Sequence, residues 1–257
     1  MLASCPSGLV AEVRGLRGAE VNLFSDENAV RKGDLFDRIL RACVVSVQEP
    51  GPYSPHGDSL NWSQVLTCDR EYLLVCIRIA TYGPEYSVGL TCPNSMCKEK
   101  FHWDVDLREL EIVDLDDDVI TQIASGKNSF DVVIEGTTFT FKMMTGESEL
   151  LAARLLRKNR SEILTTAIAV RVIAIDGEAK TQKQIAAYFA KYDKPLSDVT
   201  DAIVEYDGGI DNDIEAECPE CGGRFDLKLP LEGKAFWLRQ KARSTPKSGK
   251  KRRTLGA

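Results

Sequence analysis

The chain has 257 residues, 43% of them hydrophobic, and a net charge of −6, enough apolar content for one large domain or two small ones. It has no run of 18 apolar residues, which argues against a transmembrane helix. The opening Met1-Leu-Ala-Ser-Cys-Pro-Ser-Gly lacks both a charged leader and an apolar stretch of the signal-peptide kind. Synthesis inside a cell is therefore expected, where the eight cysteines read as metal ligands or buried thiols and not as a disulfide framework.

Taken in chain order, Val13-Arg-Gly-Leu-Arg-Gly18-Ala-Glu20 predicts a short strand, a glycine break and an acid-led helix start. Leu35 to Val44 is an apolar stretch, with Cys43 as a small buried hydrophobe. Residues 49–62, rich in Pro and Gly, form a loop expected to protrude towards a partner. Asp69–Ala80 predicts a helix with Tyr72, Leu73, Cys76, Ile77 and Ala80 on one buried face, stopped at Tyr82-Gly83-Pro84. Cys76 again reads as a buried small hydrophobe, whereas Cys5 and Cys68 carry no signal. Alternation from Tyr86 to Cys92, then from Phe101 to Leu107, predicts a hairpin of two strands with Cys92-Pro-Asn-Ser-Met-Cys97 between them.

Glu109–Gly126, with Asp114, Asp116, Asp117 and Asp118, reads as a solvated linker and helix start. Its acids lack the spacing of a calcium loop.

The order then repeats. Phe141-Lys-Met-Met-Thr-Gly146-Glu-Ser-Glu149 matches the segment around Arg14, and Ile163–Val170 parallels Leu35–Val44. Val172–Ile175 is a strand entering an Asp176-Gly177 turn. Thr181 is placed to cap a helix running through Ala190, and Ser197 to cap another running to Tyr206. Strand-like Ile214–Cys218 precedes Cys218-Pro-Glu-Cys221, and Phe225, Leu227 and Leu229 alternate after it. A phenylalanine stands four residues after the last cysteine of both pairs. Arg14 matches Lys142 at an offset of 128 residues, and Cys92 matches Cys218 at 126. The expected fold is α+β with a tandem duplicated unit. Residues 1–108 form the first repeat, 109–129 the acidic linker, 130–238 the second repeat and 239–257 a tail.

Cys92, Cys97, Cys218 and Cys221 together supply the four thiolates of a tetrahedral structural zinc site. Each repeat contributes one strand-knuckle-strand hairpin to this shared zinc ribbon. Local disulfides remain an alternative outside a reducing compartment. A redox dithiol is disfavoured, because strand-like sequence follows Cys221 where a redox cysteine would open a helix. Four thiolates also leave no open position for a catalytic zinc. His102, between Phe101 and Trp103 on a strand, reads as a surface residue.

Residues 239–257 hold eight Lys and Arg and no acid, which leaves residues 1–238 at −14. Such a tail either stays solvated or meets an acidic surface: nucleic acid, a neighbouring protein or another copy. The knuckles carry mixed charge and no aromatics interleave with the basic residues, so nucleic acid is disfavoured. Nucleotide-binding, zinc-protease and serine-hydrolase motifs are absent, and there are two histidines. An enzyme is not expected.

The motif order resembles that of the T4-like bacteriophage baseplate hub protein family over roughly residues 5–237. In the second half it runs from Lys142-Met-Met-Thr-Gly-Glu-Ser-Glu149 through Val172–Gly177 and Gly209-Ile210-Asp-Asn to Cys218-Pro-Glu-Cys-Gly222, Phe225 and Leu229-Pro230. Tyr72-Leu73-Leu through Gly83 and Cys92 to Cys97 agree with it in the first half. The resemblance implies a non-enzymatic component of a contractile-tail baseplate, made in the host cytoplasm and placed in the virion, with other baseplate and tail proteins as partners. An assembly chaperone absent from the mature particle and a nucleic-acid-binding zinc-ribbon protein are the alternative readings.

Overall fold

The computed structural model describes residues 1–25, 34–55, 59–158, 163–231 and 236–237. The tail 239–257 lies outside them, as do residues 56–58 of the Pro-rich loop.

Three antiparallel strands open the chain: β1 (Leu2–Ser4), β2 (Leu9–Val13) and β3 (Val44–Pro50), in that order across the sheet. Leu9, Ala11 and Val13 alternate inward, as the period of two requires. Helices α1 (Gly18–Leu23) and α2 (Leu35–Cys43) lie between β2 and β3. A second sheet follows, β7 (Phe130–Ile134), β8 (Thr137–Phe141), β9 (Val172–Ile175) and β10 (Glu178–Ala179), ordered β10-β9-β8-β7. Between β8 and β9 run α5 (Gly146–Lys158) and α6 (Ile163–Arg171).

The two sheets follow the same path at a spacing of 128 residues. The opening hairpins turn through left-handed glycines, Gly8 at φ 84° and Gly136 at φ 85°, a conformation open to glycine at little cost. Val13 pairs with Val44 beyond a register shift, and Phe141 pairs with Val172 beyond another. The Arg14 amide donates to the Cys43 carbonyl at 2.9 Å, and the Lys142 amide to the Arg171 carbonyl at 3.0 Å.

Helix α3 (Thr67–Tyr82) packs against α2, β2, α5 and β11 (Gly209–Ile210). Leu73, Cys76 and Ile77 are buried as expected, but Ala80 is exposed, and Leu74, Val75, Asp69, Arg70 and Arg78 are buried too. The helix is enclosed on nearly all sides, so one amphipathic face does not describe it. It ends at Gly83, left-handed at φ 86°.

Other expectations are refined or change. The acidic stretch holds the expected helix, α4 (Asp117–Ala124), and also β6 (Ile112–Val113), which pairs with β11. Its Leu115 and Val119 sit in the second core, because they alternate with the acids that stay in water. The Pro-rich loop is tied down: Tyr53 donates its hydroxyl to Asp69, and Leu60 and Trp62 are buried. Ser197 does not cap a helix. Helix α8 (Leu196–Val204) starts after Pro195, whose fixed φ suits a helix entry, and the Ser197 hydroxyl bonds Asp198. Thr181 does cap α7 (Gln182–Phe189), in a capping box with Gln184.

The buried side chains form two large clusters. One is built on the first sheet and α3, the other on the second sheet with α4, α7 and α8. The chain's Phe236 and Trp237 join the first cluster. Among the described residues no helix is long and apolar enough to cross a membrane.

Candidate metal centre

Strands β4 (Glu85–Thr91) and β5 (Lys100–Asp106) pair antiparallel, as do β12 (Asp213–Glu217) and β13 (Arg224–Lys228). Each hairpin carries one cysteine pair in its turn. The registers correspond: Leu90 faces Phe101, Ala216 faces Phe225, and the leading cysteine lies two residues beyond Leu90 or Ala216.

The turns close with equivalent bonds. The Cys92 amide donates to the Glu99 carbonyl at 2.8 Å, and the Cys218 amide to the Gly223 carbonyl at 2.9 Å. The residue after the last cysteine is left-handed in both, Lys98 at φ 52° and Gly222 at φ 66°. In the longer first knuckle, the Asn94 carbonyl takes the amides of Cys97 and Lys98, each at 3.0 Å. The Asn94 side chain takes the amide of Met96 at 3.0 Å.

The two tips meet. Cys92 Sγ lies 3.7 Å from Cys221 Sγ, and Cys97 Sγ lies 3.8 Å from Cys218 Sγ. All four sulfurs fall within 4.8 Å of one another. A tetrahedron of thiolates with metal–sulfur bonds of about 2.3 Å has edges of about 3.8 Å, so the donor set has the size and chemistry for one zinc-like ion. Cys92 and Cys218 are buried, Cys97 is half-buried and Cys221 is exposed. Phe101 and Phe225 meet edge to face beneath them with centroids 6.3 Å apart, joined by Leu90 and Trp103.

The electrostatics follow from crowding four thiols. The Cys221 backbone amide holds the Cys218 thiol down to about 7, against the opposing effect of burial. The Glu99 amide draws the Cys97 thiol down, but burial and the neighbouring sulfurs outweigh it and push it up to about 12. Burial raises Cys92. Four such thiolates need a cation among them to share this space in ionised form.

His102 is exposed and outside the cluster. Cys5, Cys43, Cys68 and Cys76 are free and buried elsewhere, with thiol pKa values raised by burial.

Three buried charged residues of α3 that periodicity did not single out hold the surrounding architecture. Asp69 accepts from the Ser7 amide at 3.1 Å and from the hydroxyls of Ser7 and Tyr53. Arg70 pairs with Asp37 of α2 at 2.7 Å and with Glu149 of α5 at 3.1 Å, and so links the two sheet units. Arg78 donates to the carbonyls of Phe236, Gly83 and Glu85. The available signal was charge embedded among the apolar residues of one helix. A cleft of about 440 Å³ is lined by Tyr53, Leu66, Ile123 and Asn128 among others, and among the described residues none of its lining is histidine, cysteine or carboxylate.

Fold and site define an α+β protein whose two distant cysteine hairpins converge on one four-sulfur cluster. The family of the T4 bacteriophage base plate protein matches residues 21–230, and the chain belongs to that family. No curated protein and no solved structure matches it. Membership points to a structural phage baseplate component in the virion tail, with baseplate or tail proteins as its partners.

Proposed function

We propose that the chain is a non-enzymatic structural component of a contractile-tail baseplate, in which one zinc ion on Cys92, Cys97, Cys218 and Cys221 clasps the two halves of a duplicated α+β unit. The observation that carries this reading is the meeting of two hairpins separated by more than 100 residues at sulfur spacings of 3.7 and 3.8 Å. Duplication is supported by the hydrogen bonds, turn glycines and register shifts that recur 128 residues apart. The proposed organisation is 1–108 and 130–238 as the repeats, 109–129 as the acidic connection and 239–257 as a basic tail.

A clasp of this kind fixes the angle between two sheet units, which suits a part that transmits load through an assembly. The outward acids Glu215 and Glu217 of β12 pair with Arg224 of β13, so the ribbon surface is mixed in charge and does not read as a nucleic-acid surface.

The test is metal analysis of protein purified without added metal, combined with thiol titration. One zinc per chain, released with loss of structure by Cys218→Ser, is the expected result. A visible thiolate-to-metal absorption would assign iron instead. Two metals per chain, or none with all four thiols titratable, would overturn the shared site. Recovery of the chain in purified tail particles tests the structural role, and its absence from finished particles would assign it to assembly.

A further inference from the structure

The four cysteines of the centre are not equally sheltered. Cys92 and Cys218 are buried and Cys97 is half-buried, whereas Cys221 is exposed. A Cβ at Gly223 would lie 3.4 Å from Cys221 Sγ, so the glycine leaves that sulfur open. Cys221 Sγ lies 3.7 Å from Cys92 Sγ, and Cys97 Sγ lies 3.8 Å from Cys218 Sγ. Both contacts run from one hairpin to the other. Each knuckle is closed by its own backbone bonds, Cys92 to Glu99 and Cys218 to Gly223, which hold the two tips against each other at these sulfurs.

Oxidation of a cysteine follows its thiolate character and its exposure. Cys221 has both in a four-thiolate centre, and Cys92 is a second sulfur in contact with it. The other cysteines, Cys5, Cys43, Cys68 and Cys76, are buried away from the same oxidant. The reading of the chain as a virion component takes it from a reducing cytosol, where it is made, into an oxidising medium. The centre then meets both conditions.

We propose that the clasp is convertible by oxidation: a peroxide or another two-electron oxidant joins Cys221 to Cys92 across the hairpins, and a covalent bond takes over from the metal in holding them. The Cys221 thiolate attacks one peroxide oxygen, the O–O bond breaks, and hydroxide leaves a sulfenic acid behind. The Cys92 thiolate attacks that sulfur, the S–O bond breaks, and a second hydroxide leaves as the S–S bond forms. Two thiolates lose two electrons, the peroxide gains them, and solvent protons turn both hydroxides into water. Cys97 and Cys218 alone remain as donors, too few for a structural zinc site. The new bond ties positions 129 residues apart, so the halves stay joined. What it replaces rests on the four-cysteine zinc reading.

The test uses the full-length, unsubstituted chain, with its metal content measured first. One equivalent of diamide is added, whose N=N bond is reduced in place of a peroxide's O–O bond. It spares Met96, which is 92% exposed and whose sulfoxide would resist the next step. Free thiols are blocked, and cyanogen bromide cuts after Met96, Met143 and Met144 into 2–96, 97–143 and 145–257. Cleavage after Glu220 then separates Cys218 from Cys221, and mass spectrometry identifies the bridge. The expected product joins 2–96 to 145–257 through Cys92 and Cys221, with metal freed in step with the bridge. A second equivalent should add Cys97–Cys218. Chelator should lower the Tm of the reduced chain and leave that of the bridged chain nearly unchanged. A local bridge, Cys92–Cys97 or Cys218–Cys221, overturns the proposal, as does recovery of all four free thiols or an equal fall in Tm. Metal and bridge are read separately. A metal-free chain that forms Cys92–Cys221 sinks the zinc reading alone, and a zinc-loaded chain that forms local bridges sinks this inference alone.

Discussion

The sulfurs of Cys97 and Cys218 lie 3.8 Å apart with 121 residues between them in sequence. Nothing local explains that approach, because each cysteine sits in a hairpin complete in itself. Bringing the tips together closes a chain loop of over 100 residues and crowds four acidic groups, so the contact needs a favourable term large enough to hold it.

Removing the metal with a chelator should therefore act on the whole protein. We expect Tm to fall by roughly 10 °C or more, with both hairpins gaining hydrogen exchange together. The four positions should differ. Cys218→Ser, at a buried sulfur, should abolish binding, while Cys221→Ser, at the exposed corner, should leave a weaker three-thiolate site. Equal loss from both would show that burial does not rank the ligands.

Asp69 gives a pH signature. Burial raises its carboxyl pKa, against the hydrogen bonds from Ser7 and Tyr53 that lower it. Between the ordinary carboxylate value and the raised one, the folded state keeps a proton that the unfolded state has released. Its contribution to stability is thus complete below the ordinary value and is lost as pH rises through the folded one. Asp69→Asn keeps an acceptor and removes the titration. Urea unfolding from pH 4 to 7 should show the wild type losing stability relative to the variant. Parallel curves would contradict the assignment.

Arg70 should behave as a joint between the sheet units. Its side chain is 3% exposed and divides its charge between Asp37 and Glu149. Arg70→Ala leaves both carboxylates without their cation and should cost about 3–5 kcal/mol in urea unfolding. A cost below about 1 kcal/mol would place the pairs among surface ion pairs instead.

Arg78 fastens the end of the described chain. It is buried, and three backbone carbonyls and the rings of Tyr82, Tyr86 and Phe236 surround its guanidinium. A lysine cannot reproduce that planar fork. Arg78→Lys should cost about 1–3 kcal/mol and shift Trp237 emission to the red as its ring meets water. An unchanged spectrum would separate the Trp237 packing from Arg78.

The cysteine knuckles and the strand alternation around them could be read from the sequence because each is a local pattern carried by a few residue types. The capping box at Thr181 and the stop at Gly83 are legible for the same reason. Ser197 misled, since a good capping residue one position inside a helix looks the same in sequence. Ala80 misled because its exposure depends on what packs against α3, which periodicity does not report.

Hydrophobic period and turn chemistry, both local, were enough to specify the α+β alternation and the two cysteine hairpins. The tertiary structure decided that the four sulfurs come within 4.8 Å of one another. It also decided that Asp69, Arg70 and Arg78 are buried, and that Trp237 covers one helix pair while Leu164 is left in water on the other. These are contacts between residues far apart in the chain. They depend on how the units pack, and the same local patterns are compatible with more than one such arrangement.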